Sequence, residues 1–205
     1  MSDAGFARTV TLAITGASGA QYGLRLLECL LAANCRVYLL ISAAAQTVIA
    51  TETDEQLPPL EQQENYFSAK FNAAAGQLRV FARDDWMAPV ASGSSAPASM
   101  VVCPCSTGTL SALATGASNN LIERAGDVAL KERRQLILVP RETPYSAIHL
   151  ENMLTLTRLG AIVLPASPGF YQRPHSVADL IDFIVARVLD QLGVEQHLLR
   201  RWGEA

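Results

Sequence analysis

The stretch Thr9-Val10-Thr11-Leu12-Ala13-Ile14-Thr15-Gly16-Ala17-Ser18-Gly19-Ala20 decides how this chain folds. An unbroken strand-like run, Thr9 to Thr15, leads straight into a glycine-rich turn, and helix-like sequence follows from about Ser18 to Ala33. Strand, tight turn and helix in that order open a βαβ unit. Free backbone amides and the helix dipole make such a turn a site for phosphate, and glycines let a ligand approach the backbone. The same turn also closes without any ligand, as a plain strand-to-helix connection. Two details bear on the choice of ligand. Ser18 stands where the dinucleotide fingerprint G-x-G-x-x-G has its second glycine, and the next strand ends in Ile41-Ser42 rather than in an acidic residue. Both disfavour NAD and suit a mononucleotide better.

The alternation continues outward from this unit. Arg36 to Ser42 reads as a second strand and Ala43 to Thr51 as a helix. The polar, Gln-rich segment from Glu52 to Gly76 is expected to form helix fragments and loop. Leu78 to Ala82 is a short strand, and Asp84 to Ala98, rich in Ser, Pro and Gly, is a loop. Met100 to Pro104 is a strand, after which Ser106-Thr107-Gly108 starts a helix of small residues. A helix over about Asn120 to Glu132 follows, then strands at Gln135 to Pro140 and Ala161 to Pro165 with a helix near Ala147 to Leu159 between them. Ser176-Val177-Ala178-Asp179 is a capping-box start for a last helix reaching about Leu192. The pattern predicts an α/β fold: one doubly wound parallel sheet, Rossmann-like or flavodoxin-like, in a three-layer sandwich that forms a single domain over residues 1–205.

Half of the 205 residues are hydrophobic and only 17% are charged, so part of the surface is expected to be buried against other copies of the chain. A net charge of −3 gives no general reason to expect nucleic acid or an anionic membrane as partner. No apolar stretch is long enough to span a bilayer. Met1 to Arg8 lacks the pattern of a signal peptide, and four cysteines without zinc spacing suit a reducing compartment. A cytoplasmic location is therefore expected. The histidines, His149, His175 and His197, form no ligand pair at helical spacing, which argues against a metal. Cys103-Pro104-Cys105 lacks the C-x-x-C spacing of a redox pair, and no G-x-S-x-G supports a hydrolase.

Ligands of open α/β sheets gather beyond the carboxyl ends of the strands. Those ends carry Ser18, Ser42, Ser106-Thr107-Gly108-Thr109, Arg141-Glu142 and Pro168-Gly169-Phe170-Tyr171. Arg141-Glu142 reads equally well as a solvated strand end. Arg124 and Lys131 are seven apart and share a helix face that suits phosphate, although on spacing alone an exposed ion pair between Asp127 and Lys131 is the favoured reading. Arg187 interrupts an apolar stretch, and Glu52 begins the polar segment. Either is unremarkable as a surface residue.

Several ordered motifs go further. They are Thr15-Gly16-Ala17-Ser18-Gly19-Ala20, Ser92-Gly93-Ser94-Ser95-Ala96, Cys103-Pro104-Cys105-Ser106-Thr107-Gly108-Thr109 and Asn120-Leu121-Ile122-Glu123-Arg124. Leu130-Lys131-Glu132-Arg133-Arg134, Val139-Pro140-Arg141-Glu142-Thr143-Pro144 and Pro168-Gly169-Phe170-Tyr171 complete the set. Together they resemble the UbiX-type flavin prenyltransferases, homo-oligomeric flavin-containing proteins related to the phosphopantothenoylcysteine decarboxylases. The resemblance implies transfer of a dimethylallyl group from dimethylallyl phosphate to reduced FMN, without a metal. The product is prenylated FMN, the cofactor of UbiD-type decarboxylases in ubiquinone biosynthesis. It also implies FMN contacts from Gly16, Ala17, Ser18, Ser42, Ser106, Thr107, Gly108, Thr109 and Arg141. Arg124, Lys131, Tyr171 and Arg187 would hold the allylic phosphate, with Ser18, Glu52 and Glu142 around the reacting centre. Trp202, in a tail of about residues 194–205, would close over the site of a dodecamer whose sites are shared between subunits. Two other readings stay open: a flavin-dependent cysteine decarboxylase of the same fold, and an FMN-binding carrier without chemistry. The former expects an active-site histidine in the first half, where this chain has none.

Overall fold

The computed structural model describes residues 5–199. Its elements run β1 (Arg8–Ile14), α1 (Ala20–Ala32), β2 (Cys35–Ile41), α2 (Ala43–Glu52), α3 (Leu60–Lys70), β3 (Leu78–Phe81) and β4 (Ser99–Cys105). They continue with α4 (Thr107–Ala114), α5 (Leu121–Lys131), β5 (Gln135–Pro140), α6 (Ala147–Arg158), β6 (Ile162–Val163) and α7 (Val177–Leu192). The strands form one six-stranded sheet in the order β3-β2-β1-β4-β5-β6, and every neighbouring pair is parallel. The direction of winding reverses between β1 and β4, which opens a crevice at their carboxyl ends.

Successive residues of β1 feed opposite faces of the sheet. Val10, Leu12 and Ile14 join a core with Leu24 and Leu27 of α1 and Ile184 and Val188 of α7. Ala13 joins a second core with Leu110 of α4, Ile122 and Ala125 of α5, and Leu156 of α6. Helices cover both faces, so the central strands read as continuous apolar runs rather than as alternating ones. Each hydroxyl or amide at a helix entrance has a specific task. Ser42 accepts the Ala45 amide, Ser106 that of Thr109, and Asn120 those of Ile122 and Glu123. Ser176 and Asp179 close the expected capping box at α7, and Ser146 with His149 closes another at α6.

Three expectations need correction. The segment from Glu52 to Gly76 contains a full helix, α3, although only Gln63 and Phe67 of that helix are buried. So narrow a buried stripe leaves almost no hydrophobic period to read. The last strand contracts from Ala161–Pro165 to the edge pair Ile162–Val163. The first helix starts at Ala20 rather than Ser18, because Gly19 adopts φ +100°, which ends the turn and cannot belong to a right-handed helix.

Cys103 and Cys105 are fully buried, and burial pushes the Cys105 thiol up to about 12 and the Cys103 thiol higher still. Both are packing groups of β4 rather than a redox pair. Among the described residues no helix is long and apolar enough to cross a membrane, and no His, Cys, Asp and Glu cluster has the makings of a metal site.

Candidate active site

Four chain segments converge at the carboxyl edge of the sheet. The first is the turn after β1. Ala17 donates its amide to the Thr15 carbonyl at 2.9 Å, tightening the chain as it leaves the strand. A Cβ on Gly16 would lie 2.4 Å from that of Ala44, so the turn sits directly against the start of α2. The head of α1 has no cap from its own side chains. Glu52, at the end of α2, supplies one instead: its Oε2 accepts the amides of Gly19 at 2.7 Å and Ala20 at 3.2 Å. Gln21 Nε2 donates to the Glu52 carbonyl at 2.9 Å and pins the same residue from its backbone. An anion at this helix end was expected, and here the chain provides its own. Burial pushes the Glu52 carboxyl up, but hydrogen bonds from the Ser18 hydroxyl and the Gly19 and Ala20 amides, with the charge of Arg141, outweigh it and hold the group below its ordinary value.

The second and third segments are the entrances of α2 and α4. The Ser42 amide donates to the Ile14 carbonyl at 3.0 Å, which keeps the end of β2 level with the end of β1. Ser106 Oγ lies 3.0 Å from Thr109 Oγ1, and the Ser106 amide donates to the Thr15 hydroxyl at 2.8 Å. Gly108 is exposed, does not have a positive φ, and has no atom of this chain within 4 Å of where a Cβ would stand. Neither backbone conformation nor packing within the protomer calls for glycine there.

The fourth segment follows β5. Arg141 Nε donates to the Ser18 carbonyl at 3.1 Å, bridging the ends of β5 and β1 across β4. Glu142 Oε1 accepts the Thr143 amide at 3.0 Å. Burial raises the pKa of Tyr145, as does the neighbouring charge of Glu142, while Arg141 opposes them. Burial likewise raises that of Tyr22, again against the pull of Arg141. One guanidinium thus acts on Glu52, Tyr22 and Tyr145 together. Thr15, Gln21, Tyr22 and Tyr145 were not singled out in the sequence. A Thr at the last residue before the glycine turn was the one available signal.

The four residues expected around a phosphate do not meet in one protomer. Arg124 donates from Nε to the Ala91 carbonyl at 3.0 Å and pairs with Asp127 at 3.1 Å, while Lys131 pairs with Glu132. The Asp127–Lys131 pair considered from spacing is therefore replaced by two others. Both cations ride on α5, in the layer of the second core. Arg187 pairs with Asp190 at 2.7 Å on α7, and Tyr171 packs edge-on against Phe183 of the same helix with ring centroids 5.6 Å apart. α7 belongs to the first core, on the other face of the sheet. Gly169 makes room for this pair of rings, since a Cβ there would stand 2.9 Å from Phe183 Cζ and 3.0 Å from Tyr171 Cε1. Trp202 lies outside the described residues.

The family model named Flavoprotein matches residues 3–189. The flavin prenyltransferase UbiX of Pseudomonas aeruginosa is 67% identical over 196 residues, covering 95% of this chain and 94% of that protein. The chain belongs to the UbiX flavin prenyltransferase family. Within the UbiX family, the solved structure of AnUbiX (PadA1) in complex with FMN and dimethylallyl pyrophosphate superposes with a TM-score of 0.85 at 40% identity, covering 97% of this chain and 98% of that one. A dodecameric FMN-dependent UbiX-like decarboxylase from Escherichia coli O157:H7 gives a TM-score of 0.83 at 39% identity, covering 96% and 100%. The UbiX family fold and the doubly wound sheet described above are therefore the same architecture.

Proposed function

We propose that this chain is a flavin prenyltransferase that moves a dimethylallyl group from dimethylallyl phosphate to reduced FMN. The observation that carries the reading is the meeting of Ser18, Glu52 and Arg141 across the β1–β4 crevice of a UbiX-family chain. When bound, reduced FMN supplies an electron-rich ring nitrogen as the nucleophile. Gly16, Ala17, Ser18, Ser42, the Ser106 to Thr109 turn and Arg141 would hold it. The space beside Gly108 is open, and the hydroxyls and amides at the head of α4 suit a phosphate ester.

Arg124 and Lys131 of one protomer and Tyr171 and Arg187 of a neighbour hold the allylic phosphate. Their task is to stabilise charge on the leaving group as the carbon–oxygen bond breaks. Several fixed cations do there what a metal does elsewhere. Ring closure needs one proton given and one taken, and Glu52, bonded to the head of α1, Glu142, beside Tyr145, and the released phosphate are the groups that would do this. The product is prenylated FMN, and its recipient a UbiD-type decarboxylase. The assembly is a dodecamer in the cytoplasm, and residues 1–205 act as a single flavoprotein domain.

A cysteine decarboxylase reading is disfavoured because no histidine precedes His149. A passive FMN carrier has no use for Arg124, Lys131, Glu142 and Arg187 together. The experiment is direct: incubate the protein anaerobically with reduced FMN and dimethylallyl phosphate, extract the flavin and weigh it by mass spectrometry. A gain of one five-carbon unit is expected. FMN that binds but never gains that mass overturns the reading.

A further inference from the structure

One side chain joins the ends of β1 and β4. Thr15 is 1% exposed. Its hydroxyl donates to the Pro104 carbonyl at 2.8 Å and accepts the Ser106 amide at 2.8 Å. Its own amide donates to the same Pro104 carbonyl at 3.2 Å, and its carbonyl accepts Ala17 N at 2.9 Å. Both turns beside the crevice, Gly16 to Gly19 and Ser106 to Thr109, therefore hang from a single residue.

The register explains why a hydroxyl is needed there. β1 and β4 pair in constant register from Val10↔Ser99 to Ala13↔Val102, and beyond that run Thr15 bonds to the Pro104 carbonyl through both its amide and its hydroxyl. In a parallel ladder the amide two residues beyond Pro104, that of Ser106, would return to the Thr15 carbonyl, and here it goes to the Thr15 hydroxyl instead. On its other side β4 slips against β5 between Val102 and Cys105, so that strand does not carry a regular ladder to the turn either. The Ser106 amide thus finds a side-chain oxygen where a backbone carbonyl would otherwise serve. A hydroxyl donates and accepts at once, and so meets both needs.

We propose that Thr15 is a positioning residue for the flavin: it fixes the spacing between the turn carrying Ser18 and the turn carrying Ser106 to Thr109. The proposal rests on the reading that those turns hold FMN. Thr15 is buried too deeply to touch the ligand, and its effect passes through Ser106. Without the hydroxyl, the Ser106 amide loses its partner and the α4 entrance is no longer tied to β1. Of the residues assigned to the allylic phosphate, Arg124 and Lys131 lie on α5, Arg187 on α7 and Tyr171 in the loop before α7, and none of the hydrogen bonds of Thr15 given above goes to them.

The test compares Thr15→Val, which keeps the shape and removes the hydroxyl, with Thr15→Ser, which keeps the hydroxyl. FMN affinity is read by flavin fluorescence, and KM is measured separately for FMN and for dimethylallyl phosphate. Thr15→Val is expected to weaken FMN binding roughly tenfold and raise the KM for FMN in step, with the KM for the donor unchanged. Thr15→Ser is expected to stay within about twofold of wild type, because both hydrogen bonds survive. A folded Val variant that binds FMN like wild type overturns the proposal, and so does a Ser variant as weak as the Val one. Wild type that binds no FMN overturns the proposed function instead. If the Val variant does not fold, hydrogen exchange at the Ser106 amide of flavin-free wild type decides. Protection supports the bond to Thr15, and exchange at the solvent rate overturns it.

Discussion

The Glu52 carboxylate accepts the Gly19 amide at 2.7 Å, across 33 residues of sequence. The bond couples the end of α2 to the head of α1 and leaves a fixed negative charge beside the Ser18 hydroxyl. A helix entrance that suits a phosphate is thereby served by a carboxylate. On the proposed function, phosphate binding then falls to the backbone of the glycine turn and to the entrances of α2 and α4.

Replacing Glu52 with Gln keeps the size and removes the charge. The folded-state pKa is held below the ordinary value of 4.5, so the charge contributes its full stability above that value and loses it as pH falls through the folded pKa. At neutral pH, Glu52→Gln is expected to lose a few tenths to about 1 kcal/mol. The gap in melting temperature from wild type should close as the pH drops below the carboxylate range. A gap that ignores pH assigns the effect to shape instead. FMN should still bind, while prenylation slows by roughly a hundredfold or more.

Gly108→Ala separates stability from binding. Within the protomer the new methyl meets nothing, and alanine favours a helix over glycine by about 0.5–1 kcal/mol. The variant should melt at or above the wild-type temperature yet bind FMN more weakly. Calorimetry and a flavin titration on one sample check both halves, and unchanged affinity would remove the flavin from that face of α4.

At Gly169 the methyl of an alanine has no room, because the rings of Tyr171 and Phe183 already stand where it would project. Gly169→Ala should displace Tyr171 and raise the KM for dimethylallyl phosphate, by about tenfold, without altering FMN affinity. Steady-state kinetics with each substrate varied in turn distinguishes this from general loss of fold.

Lys131→Ala and Arg187→Ala damage opposite faces of the protomer. Each variant should be nearly inactive alone. If the phosphate site combines α5 of one copy with α7 of another, dissociating and reassembling the two variants together restores some intact sites. Activity that fails to return in verified mixed assemblies would place both residues in one protomer's site.

Much of this was readable from the chain because it depends on neighbours in sequence. The β1 run and its glycine turn, the helix starts at Ser106 and Ser176 and the doubly wound order all follow local rules of period and capping. What escaped depends on distant partners or on weak periods. α3 buries only Gln63 and Phe67 and so lacks an apolar stripe. The bond from Gly19 to Glu52 and that from Ser106 to Thr15 join residues whose proximity is set by the crossovers. Spacing also paired Asp127 with Lys131, but Asp127 pairs with Arg124, one turn back, and Lys131 turns to Glu132. That Arg124 and Arg187 lie on opposite faces is a property of the winding, and no single segment announces it.

The placement of α5 and α7 on opposite faces has a consequence for how catalytic capacity scales with protein. On the reading that neighbours complete each site, a free protomer holds two unlike, unmatched halves and turns over nothing. Any open string of subunits wastes a half at each end. Only a closed symmetric shell uses every half. Specific activity should therefore rise with concentration and level off once the shells are full, so that dilution alone silences the enzyme.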